Sequence, residues 1–259
     1  MKAGKWHIES NEQIAARVCR MVLRGETSGI EPGQFVEIAI PGLYLRRPIS
    51  VSDIAGDRLT IIYKVVGEGT ARMAEMSTGG ELDILTGLGH GYDLTQVEDE
   101  VLLIGGGVGV PPLIYAAKKL REAGKNVRVV MGFNTADEVF GEKEFKALGC
   151  NVTVCTMDGS YGTKGVVTDV IATPAPYYFA CGPMPMLRAI LQQIGTKGQM
   201  SMEERMGCGV GICMGCTIET KEGFKRVCRE GPVFNAESLM IDATASRLQQ
   251  SCNDEMVKI

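Results

Sequence analysis

Four cysteines near the carboxyl end of this 259-residue chain limit what the chain can fold around. They are Cys208, Cys213, Cys216 and Cys228, in the order C-x4-C-x2-C-x11-C, with glycine at positions 207, 209, 211 and 215. The other five of the nine cysteines are scattered along the chain. A scattered cysteine is usually a small buried hydrophobe, whereas a group of closely spaced cysteines indicates a metal site.

The spacing of this group is typical of four thiolates that bind a [2Fe–2S] cluster. The glycines allow unusual backbone angles, so amide N–H groups can approach the sulfur atoms. Such N–H groups influence the reduction potential of a bound cluster. A structural zinc site is an alternative, but zinc usually binds between two separate two-cysteine knuckles, and the first pair here is too widely spaced. Reduced thiols without a metal are a third possibility. We predict that the four cysteines bind a [2Fe–2S] cluster.

The composition is that of an ordinary globular protein, with 45% hydrophobic and 22% charged residues. A net charge of −4, without long runs of one sign, predicts neither a nucleic-acid partner nor an anionic membrane surface. The segment Met1–Ser10 lacks the layout of a signal peptide, so we expect a cytoplasmic protein. His7 and His90 are the only histidines, which disfavours histidine-based acid–base or nucleophilic chemistry.

Residues 1–95 alternate short strand-like runs with turn residues, and this pattern predicts a small antiparallel β-barrel. The predicted helix in this part is Thr70–Met76. The predicted strands are Ile14–Val22, Gln34–Ile40, Pro48–Asp53, Arg58–Val66 and Glu81–Leu85.

Residues 96–198 follow a different pattern, in which wholly apolar strands such as Val101–Ile104 alternate with helices such as the one from Pro111 to about Ala123. This alternation predicts a doubly wound parallel sheet covered on both faces. Residues 199–259 continue neither pattern and are predicted to be a small iron–sulfur segment. The expected fold class is therefore α/β with several domains.

Two glycine-rich turns follow strands of the predicted parallel sheet. One turn contains Gly106, Gly107 and Gly109, and the other consists of Cys181, Gly182 and Pro183. Ligands of such sheets bind beyond the carboxyl ends of the strands, and a glycine loop before a helix suits a phosphate. We predict that both turns bind NAD, although the first also fits a tight turn without a ligand. Cys181 is alternatively a packed small side chain.

Acidic residues that follow the second strand of the predicted parallel sheet bear on the choice between NAD and NADP. Asp137 and Glu138 can accept a hydrogen bond from a ribose hydroxyl, and no arginine is present there to bind a 2′-phosphate. The sequence thus favours NAD over NADP. A helix start is the other interpretation of the same two residues.

In the barrel half, Arg47 can bind a pyrophosphate with two hydrogen bonds, and Gly69 with Thr70 can begin a helix nearby. Taken alone, Arg47 is better explained as a surface cation, and only its combination with the other motifs favours a pyrophosphate ligand. The runs RPIS (47–50), YKVVGEGT (63–70), GGGVGVPP (105–112) and CGPMPM (181–186) together resemble the ferredoxin reductase family. The segment from ERMGCGVGICMGC through KRVCREGPVF (204–234) resembles, more specifically, the electron-transfer subunits of class B dihydroorotate dehydrogenases.

This resemblance covers nearly the whole chain and implies a set of cofactors. It implies cluster ligation by the four cysteines and NAD as the electron acceptor. The wider reductase family usually has an aromatic residue where this chain has Ile49, a departure that the dihydroorotate branch tolerates. The resemblance implies that FAD is bound by Arg47, Pro48, Ile49, Ser50, Ile62, Tyr63, Lys64, Val65, Gly69 and Thr70.

The resemblance also implies a partner and a role. The partner is a catalytic subunit that carries FMN and oxidises dihydroorotate, assembled as two catalytic and two electron-transfer subunits. Electrons would pass through the cluster and FAD to NAD+, in the synthesis of pyrimidines. A reductase subunit of a bifurcating transhydrogenase, a hydrogenase or a sulfide dehydrogenase is an alternative with the same cofactors. A non-enzymatic regulator that binds zinc is an alternative of another class.

Overall fold

The computed structural model describes residues 1–171 and 176–241. Its amino-terminal part is a closed antiparallel barrel of six strands in the order β1-β2-β5-β4-β3-β6, with one helix, α1 (Glu68–Ala74), between the last two strands in the chain. The strands are β1 (Lys2–Ala15), β2 (Val18–Arg24), β3 (Phe35–Ile38), β4 (Arg47–Ala55), β5 (Arg58–Lys64) and β6 (Glu81–Leu88). The antiparallel barrel predicted from the sequence is confirmed.

The first hairpin of the barrel differs from the prediction. The run Ile14–Val22 is not one strand, because the chain reverses at Ala16 and Arg17, and Arg17 takes a left-handed backbone with φ of 58°. The preceding β1 is 14 residues long, and only Trp6 and Ile8 are buried along it. With so few buried residues, β1 shows almost none of the apolar alternation that identifies a strand in a sequence.

The second part of the molecule is a seven-stranded sheet in the order β10-β9-β8-β7-β11-β12-β15. All neighbouring strands run parallel except β15, which pairs antiparallel with β12 at the edge. The strands are β7 (Glu100–Gly106), β8 (Asn126–Phe133), β9 (Asn151–Thr156), β10 (Thr163–Lys164), β11 (Tyr178–Cys181), β12 (Gly198–Ser201) and β15 (Val233–Asn235). The helices are α2 (Pro111–Glu122), α3 (Glu142–Ala147), α4 (Val167–Val170) and α5 (Met184–Ile194).

The cysteine segment lies between β12 and β15, and it contains a hairpin of β13 (Thr217–Thr220) and β14 (Gly223–Arg226). The predicted boundary between residues 198 and 199 falls within β12, and β15 returns to the large sheet from the predicted iron–sulfur segment. Residues 242–259 of that segment lie outside the described residues. The division into units 1–95, 96–198 and 199–259 stays a prediction.

One apolar cluster joins all three parts of the molecule. Cys216 and Cys228 are buried in it together with Phe35 of the barrel, Leu88 at the end of β6 and Met200 of the sheet. The cysteine segment therefore packs on both the barrel and the sheet, and this packing sets its position relative to the grooves described below. None of the helices in the described ranges has both the length and the apolar content needed to cross a membrane.

Candidate functional site

The two glycine-rich turns lie side by side at the carboxyl edge of the parallel sheet. Cys181 at the end of β11 pairs in register with Gly105 near the end of β7. A Cβ atom on Gly109 would lie 2.1 Å from the main-chain oxygen of Cys181, so the two turns approach as closely as their backbones allow. The sequence predicted that both turns lie at one edge, and the strand order places them there.

Beside these turns is a groove of about 590 Å³, called here the nucleotide groove. Of the residues predicted to bind NAD, those that line it are Gly106, Gly107, Gly109, Gly182 and Pro183. Cys181 does not line it: its side chain is 2% exposed, and burial raises the pKa of the thiol, so it stays protonated. This burial agrees with the alternative interpretation of Cys181, as a packed small side chain.

A second groove of about 330 Å³, the barrel groove, lies where the barrel faces the cysteine segment. Most of the residues predicted to bind FAD line this groove: Arg47, Pro48, Ile49, Ser50, Ile62, Tyr63, Lys64 and Thr70. Val65 and Gly69 do not line it. Gly69 lies against the side chain of Arg47, since a Cβ atom there would be 2.2 Å from its Nε. Val65 donates its backbone N–H to the oxygen of Arg17 at 2.7 Å.

The two grooves are adjacent, because Lys64, Val108 and Glu203 line both of them. Glu203 was not predicted as a site residue. It follows β12 by two residues at the carboxyl edge of the sheet, which is the place where ligands bind in such folds. Desolvation raises the pKa of its carboxyl group. The position after a parallel strand was a usable signal, but the sequence pattern did not identify β12 as a strand of that sheet.

Glu138, proposed from the sequence as a ribose ligand, is already engaged within the protein. Its Oε1 accepts a hydrogen bond from Nζ of Lys64 at 2.8 Å, and its Oε2 accepts one from Nδ2 of Asn134 at 2.7 Å. The hydrogen bond from Lys64 lowers the pKa of Glu138. Asp137 accepts a short hydrogen bond from Thr135 and does not line the nucleotide groove. The pair Lys64–Glu138 thus joins the barrel to the sheet at the junction of the grooves.

The four cysteines of the carboxyl segment form two contacting pairs, Cys208 with Cys213 and Cys216 with Cys228. Backbone N–H groups point at their sulfur atoms, as the glycine-rich sequence predicted. Sγ of Cys208 accepts from Ile212 at 3.3 Å and from Cys213 at 3.4 Å, and Sγ of Cys216 accepts from the backbone of Cys228 at 3.4 Å. At Cys208 these hydrogen bonds stabilise negative charge on the sulfur atom.

One thiol of each pair has a shifted pKa, and the two shifts have opposite signs. Burial alone would raise the pKa of Cys208, but hydrogen bonds from the backbones of Cys213, Val210 and Ile212 lower it to about 6. Burial and the neighbouring Cys216 raise the pKa of Cys228 to about 12. Cys213 is exposed, whereas Cys216 and Cys228 are buried. One pair thus lies at the surface and the other in the interior.

Two contacts hold the loop that carries the first pair. Nη1 of Arg226 donates to the oxygen of Gly211 at 2.6 Å. The same arginine donates from Nε to Glu230 at 3.0 Å and lowers the pKa of Glu230 to about 2. On the other side, Gly209 lies against Glu37 of β3, where a Cβ atom would be 2.1 Å from the carboxylate. The loop is therefore packed directly on the barrel.

The donor set fits the [2Fe–2S] cluster predicted from the cysteine spacing. Cys208 and Cys213 are more widely spaced in the chain than the two cysteines of a zinc knuckle. Two pairs of thiols, each with backbone N–H groups near a sulfur atom, suit a cluster that is held by four thiolates.

Comparison with known proteins agrees with this assignment. Residues 203–240 match the family model described as the iron–sulfur cluster binding domain of dihydroorotate dehydrogenase B. The chain is 44% identical over 257 residues to the dihydroorotate dehydrogenase B (NAD(+)) electron transfer subunit of Bacillus velezensis, covering 93% of this chain and all of that protein. The corresponding subunit of Fusobacterium nucleatum is also 44% identical, over 260 residues, with the same coverage. The chain belongs to this family.

Solved structures support the fold over the same length. The NADH-dependent reduced ferredoxin-NADP oxidoreductase, a protein of flavin-based electron bifurcation, aligns with a TM-score of 0.85 and 30% identity, covering 97% of this chain and 95% of that one. The FAD/NAD-binding domain of the Vibrio cholerae nitric oxide dioxygenase aligns with a TM-score of 0.66 over 76% of this chain. At 20% identity, that second likeness concerns the fold alone.

Membership of the dihydroorotate dehydrogenase B electron transfer subunits confirms several predictions made from the sequence. The resemblance, the oxidoreductase role in electron transfer and the cofactor classes (flavin, iron–sulfur cluster and nicotinamide nucleotide) are confirmed. The name of the relatives also implies that a catalytic partner subunit exists. The individual site residues stay predictions.

Proposed function

We propose that this chain binds FAD in the barrel groove, NAD in the nucleotide groove and a [2Fe–2S] cluster at its four clustered cysteines. On this proposal it passes electrons from a catalytic partner to NAD+. The observation that carries the proposal is that the two grooves lie side by side and share Lys64, Val108 and Glu203 in their walls. A cysteine loop packed on strand β3 of the same barrel completes the arrangement.

Each part of the chain then has a binding or orienting role. Arg47 and Lys64 supply cations to the barrel groove, and the glycine turns at residues 106–109 and 182 leave their backbones open to the nucleotide. FAD and the cluster, when bound, supply the conversion between the electron pair of a nicotinamide and single electrons. The chain needs no acid–base histidine for this work, because its task is to position the cofactors.

The partner in this proposal is the FMN-containing catalytic subunit that oxidises dihydroorotate, in an assembly of two plus two subunits. The exposed ligand Cys213 marks the side of the cysteine loop that faces outward. Beside it, Ile212 is 80% exposed and Met214 is 52% exposed, although both are apolar. We assign these two side chains to the docking surface for the catalytic subunit. Because cysteine thiols stay reduced in the cytoplasm, we also propose a cytoplasmic location.

The proposal is tested on the complex isolated from cells under anaerobic conditions. We expect one FAD, two irons and two acid-labile sulfides for each copy of this chain, and reduction of NAD+ that depends on dihydroorotate. A zinc-binding protein without flavin would instead be colourless. Protein that contains flavin and cluster, but does not couple dihydroorotate to NAD+ with any dihydroorotate dehydrogenase partner, would favour the transhydrogenase or hydrogenase alternative.

A further inference from the structure

Asn11 on strand β1 forms hydrogen bonds with two separate parts of the barrel. Its Nδ2 donates to main-chain oxygens at the end of α1: those of Met73 at 2.8 Å, Met76 at 3.0 Å and, more weakly, Ala74 at 3.4 Å. Its Oδ1 accepts from the hydroxyl of Tyr63 on β5 at 2.9 Å. One half-buried amide thus connects a helix end to a strand across 52 to 65 residues of chain.

The chemistry of the partners determines the orientation of this amide. Main-chain oxygens only accept hydrogen bonds, so the nitrogen of Asn11 must face α1. Burial raises the pKa of Tyr63, with the neighbouring Cys19 acting in the same direction, so the tyrosine hydroxyl keeps its proton and donates to the oxygen of Asn11. Both polar atoms of the amide are satisfied. No other common side chain of this size offers a donor on one side and an acceptor on the other.

Both groups held by Asn11 reach the barrel groove. Tyr63 lines the groove directly. At the opposite end of α1, Thr70 lines it too, and its Oγ1 accepts from the backbones of Val66 at 3.0 Å and Gly67 at 3.2 Å. A helix of seven residues is too short to be stable alone, so the place of α1 depends on contacts such as those with Asn11. The last carbonyls of a helix also lack partners within the helix.

We propose that Asn11 is a positioning residue of the flavin site. It does not line the groove. It holds Tyr63 and α1 at a constant separation, and these form two sides of the groove in which FAD is proposed to bind. The inference rests on that proposed function. Its consequence is that a change at Asn11 weakens FAD binding without removing any group that contacts the flavin.

The test compares two variants with a matched control in the full-length chain, purified with its partner subunit. Asn11→Asp keeps the size of the side chain and the acceptor for Tyr63, but it places an oxygen against the carbonyls of α1. Asn11→Ala removes all of the hydrogen bonds. Glu12→Gln is the control, because Glu12 is the next residue of β1 and is exposed. FAD retained after graded dilution is measured by chromatography of the released flavin, which separates it from FMN.

We expect both Asn11 variants to bind FAD at least about tenfold more weakly than the wild type, equal to about 1.4 kcal/mol. The Glu12→Gln control should bind FAD normally, and the visible and EPR spectra of the cluster should not change. The melting temperature separates positioning from a general loss of stability. At a fixed FAD concentration, ligand binding stabilises the folded chain by an amount that grows with the logarithm of its affinity, so the increase in melting temperature caused by FAD should shrink in the Asn11 variants.

Wild-type FAD affinity in both variants would overturn the inference, and so would an equal drop in melting temperature with and without FAD. If Asn11→Ala does not fold, Asn11→Asp and Tyr63→Phe decide the matter. Tyr63→Phe removes one hydroxyl, and its effect on FAD affinity should be non-additive with Asn11→Asp, because both changes alter the same link. Additive effects would overturn the inference. A wild-type chain that holds no FAD would refute the proposed function itself.

Discussion

The close approach of the two glycine turns can be tested with a single methyl group. In Gly109→Ala the new Cβ would lie 2.1 Å from the oxygen of Cys181, 2.4 Å from its carbonyl carbon and 2.6 Å from the nitrogen of Gly182. All three atoms belong to the backbone, so no side-chain rotation relieves the contact. Because carbon atoms pack at about 3.5–4.0 Å, the turns must separate by more than about 1 Å.

The cost of this separation sets the expected effect. Inserting a methyl group into a closely packed site costs about 1–3 kcal/mol. The separation widens the nucleotide groove between Gly109 and Gly182, both of which line it. If most of that cost falls on nucleotide binding, the Kd for NADH should rise by about tenfold or more. Gly109 itself does not line the barrel groove, so FAD content and cluster spectra should stay normal.

The assay is anaerobic reduction of the bound flavin by NADH, followed by stopped-flow absorbance over a range of NADH concentrations. Gly124→Ala is the matched control. Gly124 follows α2 with φ of +76°, and a Cβ atom added there would have no other atom within 4 Å, so alanine introduces backbone strain without a clash. The control should lose stability and keep its NADH affinity. A Gly109→Ala variant with wild-type NADH affinity would refute the reasoning about the two turns.

Three further predictions concern the cysteine loop and the junction of the grooves. Cys213→Ser should abolish electron delivery between this chain and its partner while NADH still reduces FAD; normal coupling of dihydroorotate to NAD+ would contradict the role of the cluster. Glu138→Gln should remove the stabilisation that comes from the ionised carboxylate of Glu138. In the wild type this stabilisation is fully present above the ordinary carboxyl pKa, and it is lost as the pH falls through the lowered pKa of the folded state. The wild type should therefore lose up to about 1 kcal/mol more than this variant below about pH 4.5 in denaturant titrations, because the pair with Lys64 is partly exposed. Ile212→Asp should weaken association with the catalytic subunit by at least about tenfold in sedimentation or titration experiments, because a buried unpaired charge is costly, and it should leave flavin and cluster absorbance unchanged.

The parts of the site that could be predicted from the sequence are those whose chemistry is local. The spacing predicted an iron–sulfur segment, which the family match over residues 203–240 supports, because the cysteines of that segment lie in a short loop and at a single later position. The glycine turn after β7 was identifiable for a similar reason, since a buried strand, glycines and the prolines at the start of α2 are adjacent in the chain. In each case the residues that act together are separated by few positions.

The residues that were not predicted from the sequence depend on contacts with residues that are far away in the chain. Glu203 becomes a site residue only because β12 joins the parallel sheet beside β11, and β12 has only four residues, too few to show a pattern. Asn11 meets α1 and Tyr63 only because the barrel closes β1 against β2, and β2 against β5. Glu138 was one of two acidic residues considered for a ribose or for a helix start, whereas its partner Lys64 lies 74 residues away in the chain. The residue types alone do not show which side chains pair across the fold.

The cysteine segment also cannot be treated as an independent appendage. Its buried cysteines Cys216 and Cys228 pack with Phe35 of the barrel and Met200 of β12, and its last strand β15 covers the edge of β12. The strand that precedes Glu203 is therefore held in place, on one side, by the segment that contains the four clustered cysteines. Because the same apolar cluster also contains Phe35 of β3, we expect packing between the three parts of the molecule to set the separations of the three proposed cofactor sites.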